Sequence, residues 1–162
     1  MASDLSEREI ERVEIADEAA LDAFLSECRE KRTIAFSVGE DHVDLSCDPS
    51  RNVSVRYAYD LFGESLSLET ILSRLLAVLR TEGMRAVVFD LKKAYRLFEL
   101  FETELFPADD VMLMSYIADC GENYDSAADL ARRYGLPEDA LAAALLTLEG
   151  ILSGWGSAPS VT

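Results

Sequence analysis

Carboxylates are the side chains with which this sequence could hold a metal ion. The chain of 162 residues contains 31 Asp and Glu residues against 15 Lys and Arg residues, and His42 is its only histidine. Its three cysteines, Cys28, Cys47 and Cys120, are scattered and form no C-x-x-C pair. A zinc site built from Cys and His is therefore not expected, and the thiols are predicted to be free.

A small basic cluster is the second group of interest. Lys92, Lys93 and Arg96 surround Tyr95 in the sequence. Cations that contact phosphate beside a ring that stacks on a base are typical of single-strand binding, so a weak nucleic-acid site is one interpretation. A solvated helix face with Tyr95 in the core is the other interpretation, and it is the one we favour.

The net charge of −16 is the most informative property of the composition, because so acidic a surface repels phosphate backbones. The segment Leu97–Ala131 contains no Lys or Arg. Its nine acids are Glu99, Glu102, Glu104, Asp109, Asp110, Asp119, Glu122, Asp125 and Asp129. We interpret this segment either as a solvated surface or as a docking face for a basic partner, and we expect no nucleic acid across it.

The length predicts one domain, and 49% hydrophobic residues are enough for a core. We assign residues 13–152 to this domain, residues 1–12 to a flexible N-terminus and residues 153–162 to a disordered tail. No apolar run reaches the roughly 18 residues of a membrane helix, and the acidic N-terminus is unlike a secretory signal. We therefore predict a cytoplasmic protein that does not contact a membrane.

The first half of the chain is predicted to form a helix followed by a three-stranded meander. Asp17 is placed to cap a helix that ends near Lys31. Thr33–Val38 has the pattern of a buried strand, and His42–Ser46 and Val53–Tyr59 are predicted to pair with it in antiparallel order.

The second half is predicted to add one strand and several helices. Ser67 caps an amphipathic helix, Arg85–Phe89 forms a strand parallel to the first, and Asp90 caps the helix after it. Ser126 caps a later helix, and Pro137 fits the first turn of the last one. The sum is an α/β fold with a mixed sheet of four or five strands and flanking helices; it matches a ribonuclease-H-like fold, and the pattern alone allows several other α/β folds.

Three blocks of sequence follow one another across most of Val13–Leu136: VEIADEAALDAFLSECREKRTIAF, VVFDLKKAYRLFEL and DDVMLMSYIADCGENYDSAADLARRYGL. They resemble, in the same order, three segments of the 3′–5′ exonuclease domain of bacterial DNA polymerase I (family A). The resemblance implies the ribonuclease-H-like (DnaQ-like exonuclease) fold. It also implies the reaction of that family, which is two-metal hydrolysis of a phosphodiester by Mg²⁺ ions that convergent carboxylates hold.

The first two motifs of that family are degenerate in this sequence. The paired acids of its D-x-E motif, which share one face of a strand, fall on Ser37 and Gly39. Glu40 is one residue away and would point to the opposite face. The family's N-L-K-x-D motif becomes D-L-K-K-A, so the metal-binding Asp position is Ala94 and the Asn position is Asp90.

The third motif, Y-x-x-x-D on one helix, has no good match. Tyr134 and Glu138 have the spacing, but Gly135 and Pro137 lie between them and break a helix. Tyr95 and Glu99 also have the spacing and are predicted to share a helix, but they lie elsewhere in the chain. All four acid positions of the family are thus absent or unmatched.

The resemblance and its lost acids predict a vestigial, catalytically inactive exonuclease-like domain of a DNA polymerase I. Its predicted role is structural, packed against the polymerase domain of the parent chain in replication and repair, with no metal or cofactor. The chain alone is not expected to be an enzyme, whereas the parent would be a DNA-directed DNA polymerase. Because the sequence stops after TLEGIL, about where a polymerase domain would begin, we expect it to be part of a longer chain.

Two alternatives remain open. The first is a stand-alone acidic module that binds other proteins through Leu97–Ala131. The second is a divergent nuclease that binds Mg²⁺ through another set of acids, such as Glu40, Asp44 and Asp90.

Overall fold

The computed structural model describes residues 10–57, 66–99, 108–118 and 124–161, with side chains as far as residue 153. These residues form twelve elements in the order β1 Glu11–Ile15, α1 Glu18–Lys31, β2 Thr33–Val38, β3 His42–Asp48, β4 Arg51–Arg56, α2 Leu68–Leu79, β5 Arg85–Val88, α3 Leu91–Leu97, β6 Asp109–Asp110, α4 Val111–Ala118, α5 Ala127–Arg133 and α6 Leu141–Val161.

The strands form one mixed sheet in the order β1-β4-β3-β2-β5-β6. β2, β3 and β4 are the predicted antiparallel meander, and β5 lies parallel to β2 as predicted. β1 pairs in parallel with β4, and the two-residue β6 pairs in parallel with β5. The described sheet therefore has six strands, and the predicted number of four or five was too low.

The sequence did not predict the two outer strands, β1 and the two-residue β6, and β1 is the longer of them. It begins at Glu11, inside the segment that was predicted to be a flexible N-terminus. Its sequence ERVEI is mostly charged, because β1 lies at the edge of the sheet and exposes most of its side chains. Only Ile15 is buried, so the strand lacks the apolar alternation that identified the others.

The predicted helix caps of Asp17, Ser67, Asp90 and Ser126 are confirmed. Each side chain accepts a hydrogen bond from the backbone N–H three residues further on. Such bonds satisfy N–H groups that a helix cannot pair within its first turn.

The prediction for Pro137 was wrong, because the last helix begins at Leu141. The chain makes a turn first, and Glu138 there pairs with Arg132, with 2.7 Å between Oε1 and Nη2. This guanidinium lowers the pKa of the Glu138 carboxyl. The backbone of α6 extends to Val161, through most of the segment predicted to be a disordered tail.

Two apolar cores lie on opposite faces of the sheet. Ile34 and Phe36 point into the first core, beneath α1, α2 and α3. Ala35 and Val87 point into the second, where α6 packs across β2, β3, β4 and β5 with α4 and α5 beside it. This alternation follows from the period of two in a strand, and it buries the middle of the sheet on both sides.

Within the described ranges, no helix is both long enough and apolar enough to cross a membrane.

Candidate functional site

A cavity of about 520 Å³ lies at the ends of β2 and β5. α3, the start of α5 and the start of α6 close its sides. All four degenerate motif positions line it: Ser37, Gly39, Asp90 and Ala94. The structure thus brings together residues that lie more than fifty positions apart in the sequence.

Gly39 occupies a position where a side chain has little room. Its N–H donates to the carbonyl oxygen of His42 at 2.8 Å, and its own carbonyl accepts a hydrogen bond from the Tyr57 hydroxyl. A Cβ at this position would lie 3.2 Å from Cε1 of His42 and 3.3 Å from the His42 carbonyl oxygen. A glutamate here would therefore require the β2–β3 turn to shift.

Asp90 is engaged as a helix cap. Its backbone has a φ of 68°, in the left-handed region that Asp and Asn tolerate better than most residues. Its Oδ1 accepts from the N–H of Lys93 at 3.3 Å. Ala94 follows on the buried side of α3 and presents only a methyl group to the cavity.

Asp110 is a residue that the sequence analysis did not single out. Its Oδ1 accepts from the N–H groups of Asp90 and Met112 at 2.9 and 3.0 Å, and its Oδ2 accepts from the N–H of Leu91 at 2.9 Å. One carboxylate thereby caps the N-terminal ends of both α3 and α4. The sequence offers one signal for this capping role, because Asp110 lies directly before an apolar helix.

The predicted basic cluster is divided by the structure. Lys93 lines the cavity, while Lys92 and Arg96 are exposed on the surface of α3. Tyr95 is half-buried and packs against the first core. This burial agrees with the favoured interpretation of a solvated helix face, whereas weak binding of nucleic acid by Lys92, Lys93 and Arg96 stays a prediction.

Asp44 is a buried carboxylate beneath α6. It faces Ser37 across the β2–β3 pair and its side chain is 2% exposed. Its Oδ1 accepts from Ser54 Oγ at 2.7 Å and from Asn52 Nδ2 at 3.3 Å. Asn52 Oδ1 in turn accepts from the N–H of Ala143 at 3.1 Å, so this network joins the sheet to the first turn of α6.

The alternative acid set of Glu40, Asp44 and Asp90 is not brought together. Glu40 and Asp90 line the cavity, whereas Asp44 does not. Among the described residues, no group of three or more His, Cys, Asp or Glu side chains could hold a metal ion. The described residues therefore do not fit the two Mg²⁺ ions of the exonuclease reaction, which need several convergent carboxylates.

The third motif has no counterpart at the cavity. Tyr134 ends α5, and Gly135 after it has a φ of 71°, so Tyr134 and Glu138 do not share a helix. The expectation that Tyr95 and Glu99 share a helix was wrong, because α3 ends at Leu97.

Two of the three thiols lie in the described residues, away from the cavity. Cys28 and Cys47 are both buried and free, as predicted, while Cys120 lies outside the described residues. The hydrogen bond between the two thiols and their burial raise the pKa of Cys28 far above its usual range. The same hydrogen bond lowers the pKa of Cys47.

Comparison with known proteins identifies the fold. No protein-family model and no curated protein matches the sequence. Among solved structures, the chain is similar to Escherichia coli RNase D, an exoribonuclease involved in structured RNA processing, with a TM-score of 0.64 and 16% identity over 92% of this chain. It is also similar to Pol1 from M. smegmatis in a complex with DNA primer-template and dNTP, with a TM-score of 0.62 and 18% identity over 88% of this chain.

Trypanosoma brucei RNase D is a third similar structure, with a TM-score of 0.58 and 12% identity over 95% of this chain. At these identities the likeness shows the fold alone: the chain shares with these structures the α/β fold, a mixed sheet with flanking helices, that the sequence predicted. The chain spans 46% of the E. coli RNase D chain and 27% of the chain in the second structure, which is described as the POL domain of Pol1. It therefore corresponds to about half of the first chain and about a quarter of the second.

Proposed function

We propose that this chain is a catalytically inactive 3′–5′ exonuclease-like domain of a DNA polymerase I, with a structural role. The observation that carries the proposal is the chemistry of the cavity. Ser37, Gly39 and Ala94 stand at the acid positions and supply no anionic oxygen. Asp90 supplies one, but it is already committed to the cap of α3.

The loss of these carboxylates removes the electrostatic basis of the reaction. Two-metal hydrolysis stabilises the attacking and the leaving oxygen through ions that several carboxylates hold in place. A serine hydroxyl and a methyl group cannot replace such ligands for Mg²⁺, which requires hard oxygen donors in an octahedral arrangement. The fold has kept the cavity, but the chemistry at its wall has changed.

The assignment to a polymerase rests on the three sequence blocks, with the likeness to Pol1 as support at the level of fold. The likeness to RNase D is equally strong at that level. In the proposed parent chain the domain would pack against the polymerase domain, in the cytoplasm, and take part in replication and repair without binding nucleic acid strongly itself. An open reading frame that runs on into polymerase motifs would support this, whereas a stop codon near Thr162 would favour a stand-alone module.

A nuclease assay tests the proposed inactivity. The purified chain is incubated with Mg²⁺ or Mn²⁺ and with single-stranded DNA or RNA labelled at the 5′ end. We expect no metal-dependent shortening above the buffer control. Shortening that persists through repurification and disappears in an Asp90→Asn variant would contradict the proposal and identify a divergent active site.

A further inference from the structure

α4 presents an unusual apolar face to solvent. Leu113, Tyr116 and Ile117 are 55%, 45% and 69% exposed. They are the exposed large hydrophobic residues of the described part of the chain. Their spacing of three and four residues places them side by side on one face of the helix.

The opposite face of α4 packs against the second core. Val111 is fully buried and Met114 packs against the second core. Ser115 is also buried, and its hydroxyl donates to the carbonyl oxygen of Met112 at 2.8 Å. The outer face therefore adds nothing to the core, and grouped apolar side chains that remain in water mark a surface for a partner.

The orientation of this face is fixed at the N-terminal end of α4. Asp110 accepts hydrogen bonds from Met112 of α4 and from Asp90 and Leu91 at the start of α3. α4 also packs along α6. A helix held in this way offers a preformed surface, which lowers the entropic cost of binding.

The chain around this face is acidic. α4 itself carries no charged residue, and the segment Leu97–Ala131 that contains it has nine acids and no Lys or Arg. A partner whose apolar side chains are flanked by Lys or Arg would gain both burial and charge complementarity.

The same charge argues against other occupants. A symmetric dimer through α4 would bring together two copies that each carry a net charge of −16, and these copies repel each other. Nucleic acids and anionic lipid surfaces would be repelled for the same reason.

We propose that the face formed by Leu113, Tyr116 and Ile117 is a docking surface for a basic amphipathic segment of another protein domain. The partner would place apolar side chains on this face, and Lys or Arg at its edges would gain from the net charge of −16 that this chain carries. The inference does not rest on the proposed loss of catalysis, because neither the cavity nor the motif positions contribute to this surface.

A binding experiment with a defined probe tests the proposal. The probe is a fluorescein-labelled peptide of Leu and Lys, about five helical turns long, with all leucines on one helix face. Fluorescence anisotropy compares the wild-type chain with a Leu113→Ser, Ile117→Ser double variant. Exposed alanines on α1 and α2 provide the matched control, an Ala23→Ser, Ala77→Ser double variant with the same charge.

We expect the wild type and the alanine control to bind the peptide equally. The Leu113→Ser, Ile117→Ser variant should bind at least about tenfold more weakly, because two aliphatic side chains no longer become buried. A peptide of Leu and Glu with the same pattern should not bind. Circular dichroism verifies that each variant is folded. A single Ile117→Lys variant, at the most exposed of the three positions, should also weaken binding, because its added positive charge repels the basic peptide.

Three results would overturn the proposal. The Lys peptide could bind all variants equally, so that charge alone explains its affinity, or it could fail to bind the wild type. Sedimentation equilibrium could also show a wild-type dimer that becomes monomeric in the Leu113→Ser, Ile117→Ser variant. That result would assign the face to a second copy of this chain.

Discussion

Ser37 and Asp44 face each other across two adjacent strands, but they have different surroundings. Ser37 lines the cavity, whereas Asp44 is buried beneath α6 with Ser54 and Asn52 as its hydrogen-bond donors. A buried carboxylate is tolerated only when its oxygens are paired, and here the pairing also fixes Asn52, which holds the start of α6. At this position the acid supports the fold and is not available to a metal ion.

Replacement of Asp44 by alanine should therefore destabilise the protein strongly. We expect Asp44→Ala to lower the free energy of unfolding by about 2–4 kcal/mol, because the buried amide of Asn52 and the half-buried hydroxyl of Ser54 lose their acceptor. Urea denaturation measures the change. Asp125→Ala, at an exposed position on the cavity wall, is the control and should change stability by less than about 0.5 kcal/mol. Equal effects of the two substitutions would contradict the structural role of Asp44.

At the scale of elements, the sequence predicted the interior strands and most helix starts. Thr33–Val38 was correct to the residue because an apolar strand with a helix before it has a clear local pattern. β1 was missed because an edge strand need not be apolar. The start of α6 was misplaced because Pro137 suits the first turn of a helix, whereas the ion pair of Glu138 with Arg132 belongs to a turn outside it.

In the candidate site, too, the sequence predicted local features but not the contacts between residues that are far apart in the chain. The four motif positions could be aligned from the sequence, and they do line one cavity. The burial of Asp44 depends on the packing of α6 across the sheet, about a hundred residues later in the chain. The double cap by Asp110 likewise depends on two helices that meet only in three dimensions.

Asp110 allows a test at the scale of elements. Asp110→Ala should lower the free energy of unfolding by about 1–3 kcal/mol, because N–H groups at the starts of α3 and α4 lose their shared acceptor while Asp90 still caps α3. The neighbouring Asp109→Ala is the matched control. Asp109 is half-exposed and lies 3.6 Å from Arg85, so its loss should cost less than about 1 kcal/mol.

Chemical denaturation compares the free energies of unfolding of the two variants. Hydrogen exchange shows which helices are destabilised. Amides at the starts of α3 and α4 should lose protection together in Asp110→Ala. Loss of protection in α4 alone would show that the bonds from Asp110 to Asp90 and Leu91 contribute little.

At the scale of the whole molecule, the excess of acids predicts a dependence on salt. A net charge of −16 opposes the compact state through self-repulsion, and added ions screen this repulsion. We expect the thermal midpoint of unfolding to rise as NaCl increases from low concentration to about 0.5 M, where the Debye length is well below 10 Å. Differential scanning calorimetry measures the shift. A midpoint that falls with NaCl would mean that the ion pairs of the surface outweigh the repulsion between like charges.

Three of the four motif positions at the cavity, Ser37, Gly39 and Ala94, carry no charge, although Glu40, Asp90 and Asp125 also line it. Carboxylates crowded around an empty metal site repel one another, so a nuclease with such a site gains part of its rigidity from the cations that it captures. In the proposed inactive domain, Ser37, Gly39 and Ala94 add no negative charge to this repulsion. We therefore expect the folded domain to be insensitive to chelators. The proposed inactive domain would then stay folded at divalent-ion concentrations too low for a metal-dependent nuclease to keep its active site ordered.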